Sequence, residues 1–141
     1  MMEHVFGRGK VDKIKLIVIV ITIILQSCTS DYTKNLGDGY FYRHEGKPLN
    51  DIYSEYPQKN GRIPANVVAF DYDREFIIAK QKPRLPQDIL YEKEYEYKLG
   101  EDTIYFWLVI KKEKLVLGPL DIDEFELAKK QYNVPNNLKL K

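Results

Sequence analysis

Ile104-Tyr105-Phe106-Trp107-Leu108-Val109-Ile110 is a run of seven apolar or aromatic residues without interruption. A strand with one wet face alternates apolar and polar residues, whereas a strand covered on both faces does not. The run therefore reads as the central strand of a sheet. Lys111 to Lys114 makes the turn after it, and Leu115-Val116-Leu117 returns as its partner. Gly118-Pro119 is expected to stop that partner, because proline cannot donate to a ladder.

Upstream, Val67-Val68-Ala69-Phe70 and Phe76-Ile77-Ile78-Ala79 flank the polar stretch Asp71 to Glu75. That pattern predicts a hairpin turning near Asp73-Arg74. Tyr40-Phe41-Tyr42 follows the Gly37-Asp38-Gly39 turn as a first strand, and Asp51 to Tyr56 is a short element. In Gln87 to Leu99, Asp88 suits a brief helical turn. Ile89, Tyr91, Tyr95, Tyr97 and Leu99 share one parity, so the turn is expected to run into an extended segment.

Downstream, Asp121 and Glu124 have the spacing of a capping box, and Leu120 and Phe125 that of a hydrophobic staple. Asp123 and Glu124 complement the start of the helix dipole; Lys129 and Lys130 complement its end. Ile122, Phe125, Ala128 and Tyr132 recur at helical spacing, and Asn133-Val134-Pro135 ends the helix. The expected fold is α+β: an antiparallel meander of five or six strands with one C-terminal helix packed on it. Asp-Ile pairs at 51–52, 88–89 and 121–122 form a faint echo, with too few matching positions to make a repeat.

The beginning of the chain reads differently. Leu16 to Leu25 is uncharged and almost wholly apolar, and it follows Arg8, Lys10, Lys13 and Lys15. A span needs about 20 apolar residues, so this shorter run behind a basic start is a secretory signal. It ends Leu25-Gln26-Ser27-Cys28, on the only cysteine of the chain. That motif resembles the lipobox of bacterial lipoproteins, which implies diacylation of the Cys28 sulfur, cleavage before it and acylation of the new amine. The organisation expected is a signal peptide over 1–27, a flexible tether over 28–36 that holds the domain clear of the bilayer, and a single domain over 37–141. The resemblance implies a cell-envelope location. Thr29 after the cysteine, in place of the aspartate of an inner-membrane retention signal, favours the outer membrane.

Removing residues 1–27 leaves 114 of the 141 residues, enough for one domain. It also removes four of the 22 basic and two of the 21 acidic residues, leaving 18 against 19. A balance so near neutral gives no footprint for nucleic acid. With Cys28 acylated no thiol remains for a disulfide, so the core alone must hold the fold.

Chemistry is thinly signalled. His44 is the only histidine after the signal, beside Arg43 and Glu45, where a solvated surface role is the simplest reading. Ser54 sits in no nucleophile elbow. Asp71, Asp73 and Glu75 alternate, as do Glu92, Glu94 and Glu96, and both sets read as solvated faces in place of calcium or acid–base sites. No cofactor, metal or catalytic residue is expected. The tyrosines are the better clue, since exposed rings stack on sugars and anchor interfaces. Tyr91, Tyr95 and Tyr97 are the binding candidates, with Tyr40 and Tyr42 also expected to be exposed.

The signal, the Tyr105–Ile110 strand, Gly118-Pro119-Leu120 leading to Phe125, and Phe76 to Gln81 together resemble a group of uncharacterised small bacterial lipoproteins. The resemblance implies an anchored domain of about a hundred residues and carries no activity. The expected function is a non-enzymatic binding module for a protein or glycan, held to the membrane through acyl chains on Cys28. The alternative is an immunity or inhibitor lipoprotein that blocks a toxin or a wall-degrading enzyme.

Overall fold

The computed structural model describes residues 31–46, 49–89, 91 and 93–141, together with Lys13, Lys15 and Ile17 to Ile19, which are helical. Cys28 and the expected cleavage site lie outside the described residues. Among those described, no helix is long and apolar enough to cross a membrane. Residues 1–30 and 31–141 form separate compact units.

The second unit contains two antiparallel sheets. The first is β1 (Tyr32–Gly37), β2 (Tyr40–His44) and β3 (Asn50–Ser54), in that spatial order. The second is β4 (Val67–Tyr72), β5 (Phe76–Gln81), β6 (Tyr105–Ile110) and β7 (Leu115–Leu120), again in chain order. The helix α1 (Ile122–Gln131) follows. The expected single meander of five or six strands is thus corrected to seven strands in two sheets. Between β3 and β4, Pro57, Gly61 and Pro64 interrupt the ladder, and Ile52–Ile63 is an isolated bridge.

β6 is central, as its composition demands. Alternate residues of β5 and β6 serve two cores. Ile77, Ala79, Trp107 and Val109 pack with Leu36, Tyr40, Tyr42 and Ile52 of the first sheet. Phe76, Ile78, Leu108 and Ile110 pack with Phe125 and Ala128 of α1. The second sheet therefore lies between the first sheet and the helix, which is why no position of β6 except Phe106 can be anything but buried.

Two local expectations change, and two others stand. Residues 32–36 are not tether but β1, with Gly37. The signal was weak because Leu36 alone of the strand is buried, while Lys34 covers the rings of Phe70 and Tyr72 at 5.6 and 5.2 Å. β7 runs through Gly118-Pro119 to Leu120, because it is an edge strand whose proline costs no inner ladder bond. A Cβ on Gly118 would lie 2.4 Å from the Trp107 ring, so only glycine lets the strand pass. Gln87 to Leu99 makes one turn, with the Tyr91 amide donating to Asp88 O at 3.1 Å, and then runs without a ladder. The Asp-Ile pairs fall in a strand, a loop and a helix start, so the echo is no structural repeat.

The hairpin, the β6–β7 turn and the helix stand as read. Both halves of the capping box form: Asp121 Oδ1 accepts from the Glu124 amide at 2.8 Å, and Glu124 Oε2 from the Asp121 amide at 3.0 Å.

Candidate functional site

The loop from Lys82 to Ile104 has few backbone partners, and tyrosine hydroxyls hold it instead. Tyr91 donates to Asp51 Oδ2 and accepts from the Ala65 amide, both at 3.1 Å. Tyr95 accepts from the Arg62 amide at 3.0 Å and donates toward Arg62 O and Asn60 O at 2.7 and 2.9 Å. Tyr97 accepts from Gln81 Nε2 at 2.9 Å. Gln81, fully buried, also donates to Ala65 O and accepts the Trp107 indole N–H at 2.7 Å. Burial pushes Tyr91 and Tyr97 up to about 12, because a buried phenolate loses its solvation.

The sequence candidates are therefore brought together, but their hydroxyls point inward. Tyr95 is buried against Trp107, ring centroids 5.1 Å apart and nearly perpendicular. Tyr91 and Tyr97 are half-buried. Tyr40 and Tyr42, expected at the surface, are buried core residues. Parity along a segment says which residues share a face; it does not say which face is wet.

Beside this loop lies an open cleft of about 690 Å³. One wall is the β3 end and its loop, with Tyr53, Ser54, Tyr56 and Gln58; the other carries Arg62, Tyr91, Lys93 and the edge of Tyr95. Tyr53 is propped by Phe41, centroids 5.6 Å apart and stacked, with Arg43 over its ring. Tyr56 is exposed beside Lys114 Nζ, 5.1 Å from its ring. Gln58 braces the loop, donating to Ser54 Oγ and Tyr56 O at 3.0 and 2.9 Å and accepting from Tyr40 OH. Arg43, on the neighbouring strand, is itself fixed by a bidentate pair with buried Asp51 at 2.7 and 3.0 Å. Sequence reading missed Tyr53 and Tyr56 because nothing in a short, weak strand distinguishes its outward rings from its inward ones.

The cleft presents flat aromatic faces, amide and hydroxyl groups, two cations and the carboxylate of Glu55. Ser54 Oγ accepts from the Tyr56 amide at 3.1 Å as well as from Gln58, and neither partner is a base. Among the described residues no group of three or more His, Cys, Asp or Glu is placed to hold a metal. Asp73 Oδ1 caps the hairpin turn through the Glu75 and Phe76 amides, and Asp71 Oδ2 accepts from the Lys139 amide of the C-terminal tail. Glu94 and Glu96 are exposed, and Glu92 lies outside the described residues. His44 stacks on Tyr32 with centroids 5.1 Å apart.

A family described as "Protein of unknown function (DUF3997)" matches residues 38–141. The chain belongs to the DUF3997 family. The DUF3997 match opens in the turn after β1 and takes in both walls of the cleft, the tyrosine-held loop and α1. No curated protein and no solved structure matches the chain.

Proposed function

We propose that this DUF3997 chain is a non-enzymatic lipoprotein of the bacterial cell envelope, anchored through Cys28, whose domain binds a glycan in the tyrosine cleft. The observation that carries the binding reading is the pairing of outward rings, Tyr53 and Tyr56, with Gln58, Ser54 and Arg62 in one open cleft. Rings stack on the apolar face of a sugar, and fixed amides and hydroxyls satisfy its hydroxyls. The anchoring reading is supported by Leu25-Gln26-Ser27-Cys28 behind a short apolar run.

The test is titration of the detergent-solubilised full chain with cell-wall glycans, followed by calorimetry. Tyr53→Ala/Tyr56→Ala should weaken binding about tenfold or more, the loss of a stacking contact or two. Equal binding by wild type and variant would remove the cleft from the proposal, and binding of no glycan would transfer it to a protein partner sought by envelope pull-down. Separately, Cys28→Ala should leave an unprocessed precursor that takes up no fatty-acid label. Equal labelling of wild type and variant would sink the anchor.

A further inference from the structure

β1 begins at Tyr32, so only Thr29, Ser30 and Asp31 separate it from Cys28. Four residue steps span at most about 14 Å. An acylated Cys28 would then hold the Tyr32 end of the domain at the headgroups, with no room for the clearance a longer tether gives. A role for that end at the bilayer thus rests on the lipid anchor proposed at Cys28.

The register identifies the residues at that end. Tyr32 pairs with His44 and His44 with Asn50, which places neighbouring Leu49 two strand spacings, about 10 Å, from the β1 start. The other end of β1 is fixed by Lys111, whose Nζ donates to Leu36 O and to Asp73 O in the β4–β5 turn. The Tyr32 end of the first sheet therefore lies with the Val67 and Gln81 end of the second, where the loop after Gln81 emerges. Leu49, Leu85, Pro86 and Ile89 line one cavity there of about 430 Å³. Ile89 is 97% exposed, Leu49 40% and Leu85 38%, and Tyr32 and Val68 at the same end are half exposed. The opposite turns differ: Asp38, Arg74, Glu75, Lys112 and Glu113 are exposed there.

We infer that the Tyr32 end is a membrane-docking face, in which Leu49, Leu85 and Ile89 enter the interface of the bilayer that carries the anchor. Apolar side chains at a loop tip gain by leaving water, and a tyrosine ring such as Tyr32 suits headgroup level. Exposed Lys82 and Arg84 flank the apolar tip, but exposed Asp31, Glu45 and Asp88 at the same end offset any attraction to anionic lipid. Apolar burial is thus the main force. Tyr56 lies by Gly39 at the far end, so docking leaves that wall of the cleft open to solvent.

Acylation blocks Cys28, so one introduced cysteine can be labelled alone. Full-length Ile89→Cys and Glu113→Cys are each labelled with an environment-sensitive fluorophore and reconstituted into phosphatidylethanolamine/phosphatidylglycerol vesicles. Both positions are exposed, so neither substitution disturbs the core. A lipid-borne quencher should quench position 89 several-fold more than position 113, and aqueous iodide should do the reverse. Intact mass reads the anchor independently. A chain bearing no acyl groups overturns the anchored reading and this inference with it. An acylated chain in which the two positions respond alike overturns the docking face alone.

Discussion

The two faces of the second sheet are built in opposite ways. Toward α1, Phe76, Ile78, Leu108 and Ile110 meet Phe125 and Ala128, apolar against apolar. Toward the first sheet, the aliphatic side chains of Leu36, Ile52, Ile77 and Val109 are joined by Trp107, Gln81, Tyr95, Tyr40 and Tyr42, whose polar atoms must each find a partner. The helix face tolerates any well-shaped hydrocarbon. The tyrosine face holds an irregular loop, and a buried amide or hydroxyl fixes it in one arrangement because misplacing it leaves a partner unpaired.

The largest break should come at Trp107. Trp107→Ala should cost about 3–5 kcal/mol, as large aromatic truncations in cores do, and it also strips Gln81 Oε1 of its donor. Denaturant unfolding measures it, and a loss under about 1 kcal/mol would mean the site collapses around the gap. Phe125→Ala, at about 3 kcal/mol or more, sharpens the contrast. Hydrogen exchange should rise through α1 while the Arg62 amide, held by Tyr95, stays protected; parallel loosening of both would show the two faces to be one cooperative unit.

Gln81→Ala comes next, at about 1–3 kcal/mol, because it leaves the Trp107 indole N–H buried and unpaired. Indole fluorescence and chemical denaturation read it together, and an unchanged midpoint would show that water replaces the amide. Asp121→Ala removes one half of the capping box and should cost about 1 kcal/mol, visible as a small drop in melting temperature.

The smallest effect is expected at alkaline pH. Burial pushes Tyr40, Tyr91 and Tyr97 up to about 12, against about 10 in the unfolded chain. Between those values the unfolded state gives up protons that the folded state keeps. Their contribution is thus complete below pH 10 and lost as pH rises toward 12. Lys111, lowered by burial, acts with the opposite sign, since its burden lifts as it deprotonates. Three groups outweigh one, so stability should fall across that window. Phenolate absorbance should show a late-titrating class; a single transition near 10 in the folded protein would refute it.

The same contrast explains what could be read from the chain. α1 was legible from Asp121 to Tyr132 because a capping box and a 3.6-residue stripe are local, and β6 because seven apolar residues admit few other readings. The division into two sheets was not, since it depends on face-to-face packing between segments that carry no pairing signal. β1 hid behind Thr33, Lys34 and Asn35, polar residues on a strand with one buried side chain. In the site, Tyr91, Tyr95 and Tyr97 were legible as a group, yet their inward direction depends on Asp51, Arg62 and Gln81, each distant in sequence. Tyr53 and Tyr56 acquire their outward setting from Phe41 and Gln58, which no local pattern names.

Because both sheets are meanders of chain neighbours, every ladder except β5–β6, which closes over the long loop from Lys82 to Ile104, can close over a short turn, and such local pairing is fast. The layers join much later in the chain's own order: Lys111 reaches Leu36 across 75 positions. A chain that ends before Tyr105 can thus complete β1 to β3 and supply Ile63, Val67, Ile77 and Ala79 against them, yet it lacks Trp107, Val109 and Val116 of the layer that covers Leu36, Tyr40, Tyr42 and Ile52. The first sheet is then left with an incompletely covered apolar side. Its survival depends on how soon Trp107 arrives, and the hazard for a stalled or truncated chain is self-association through that side.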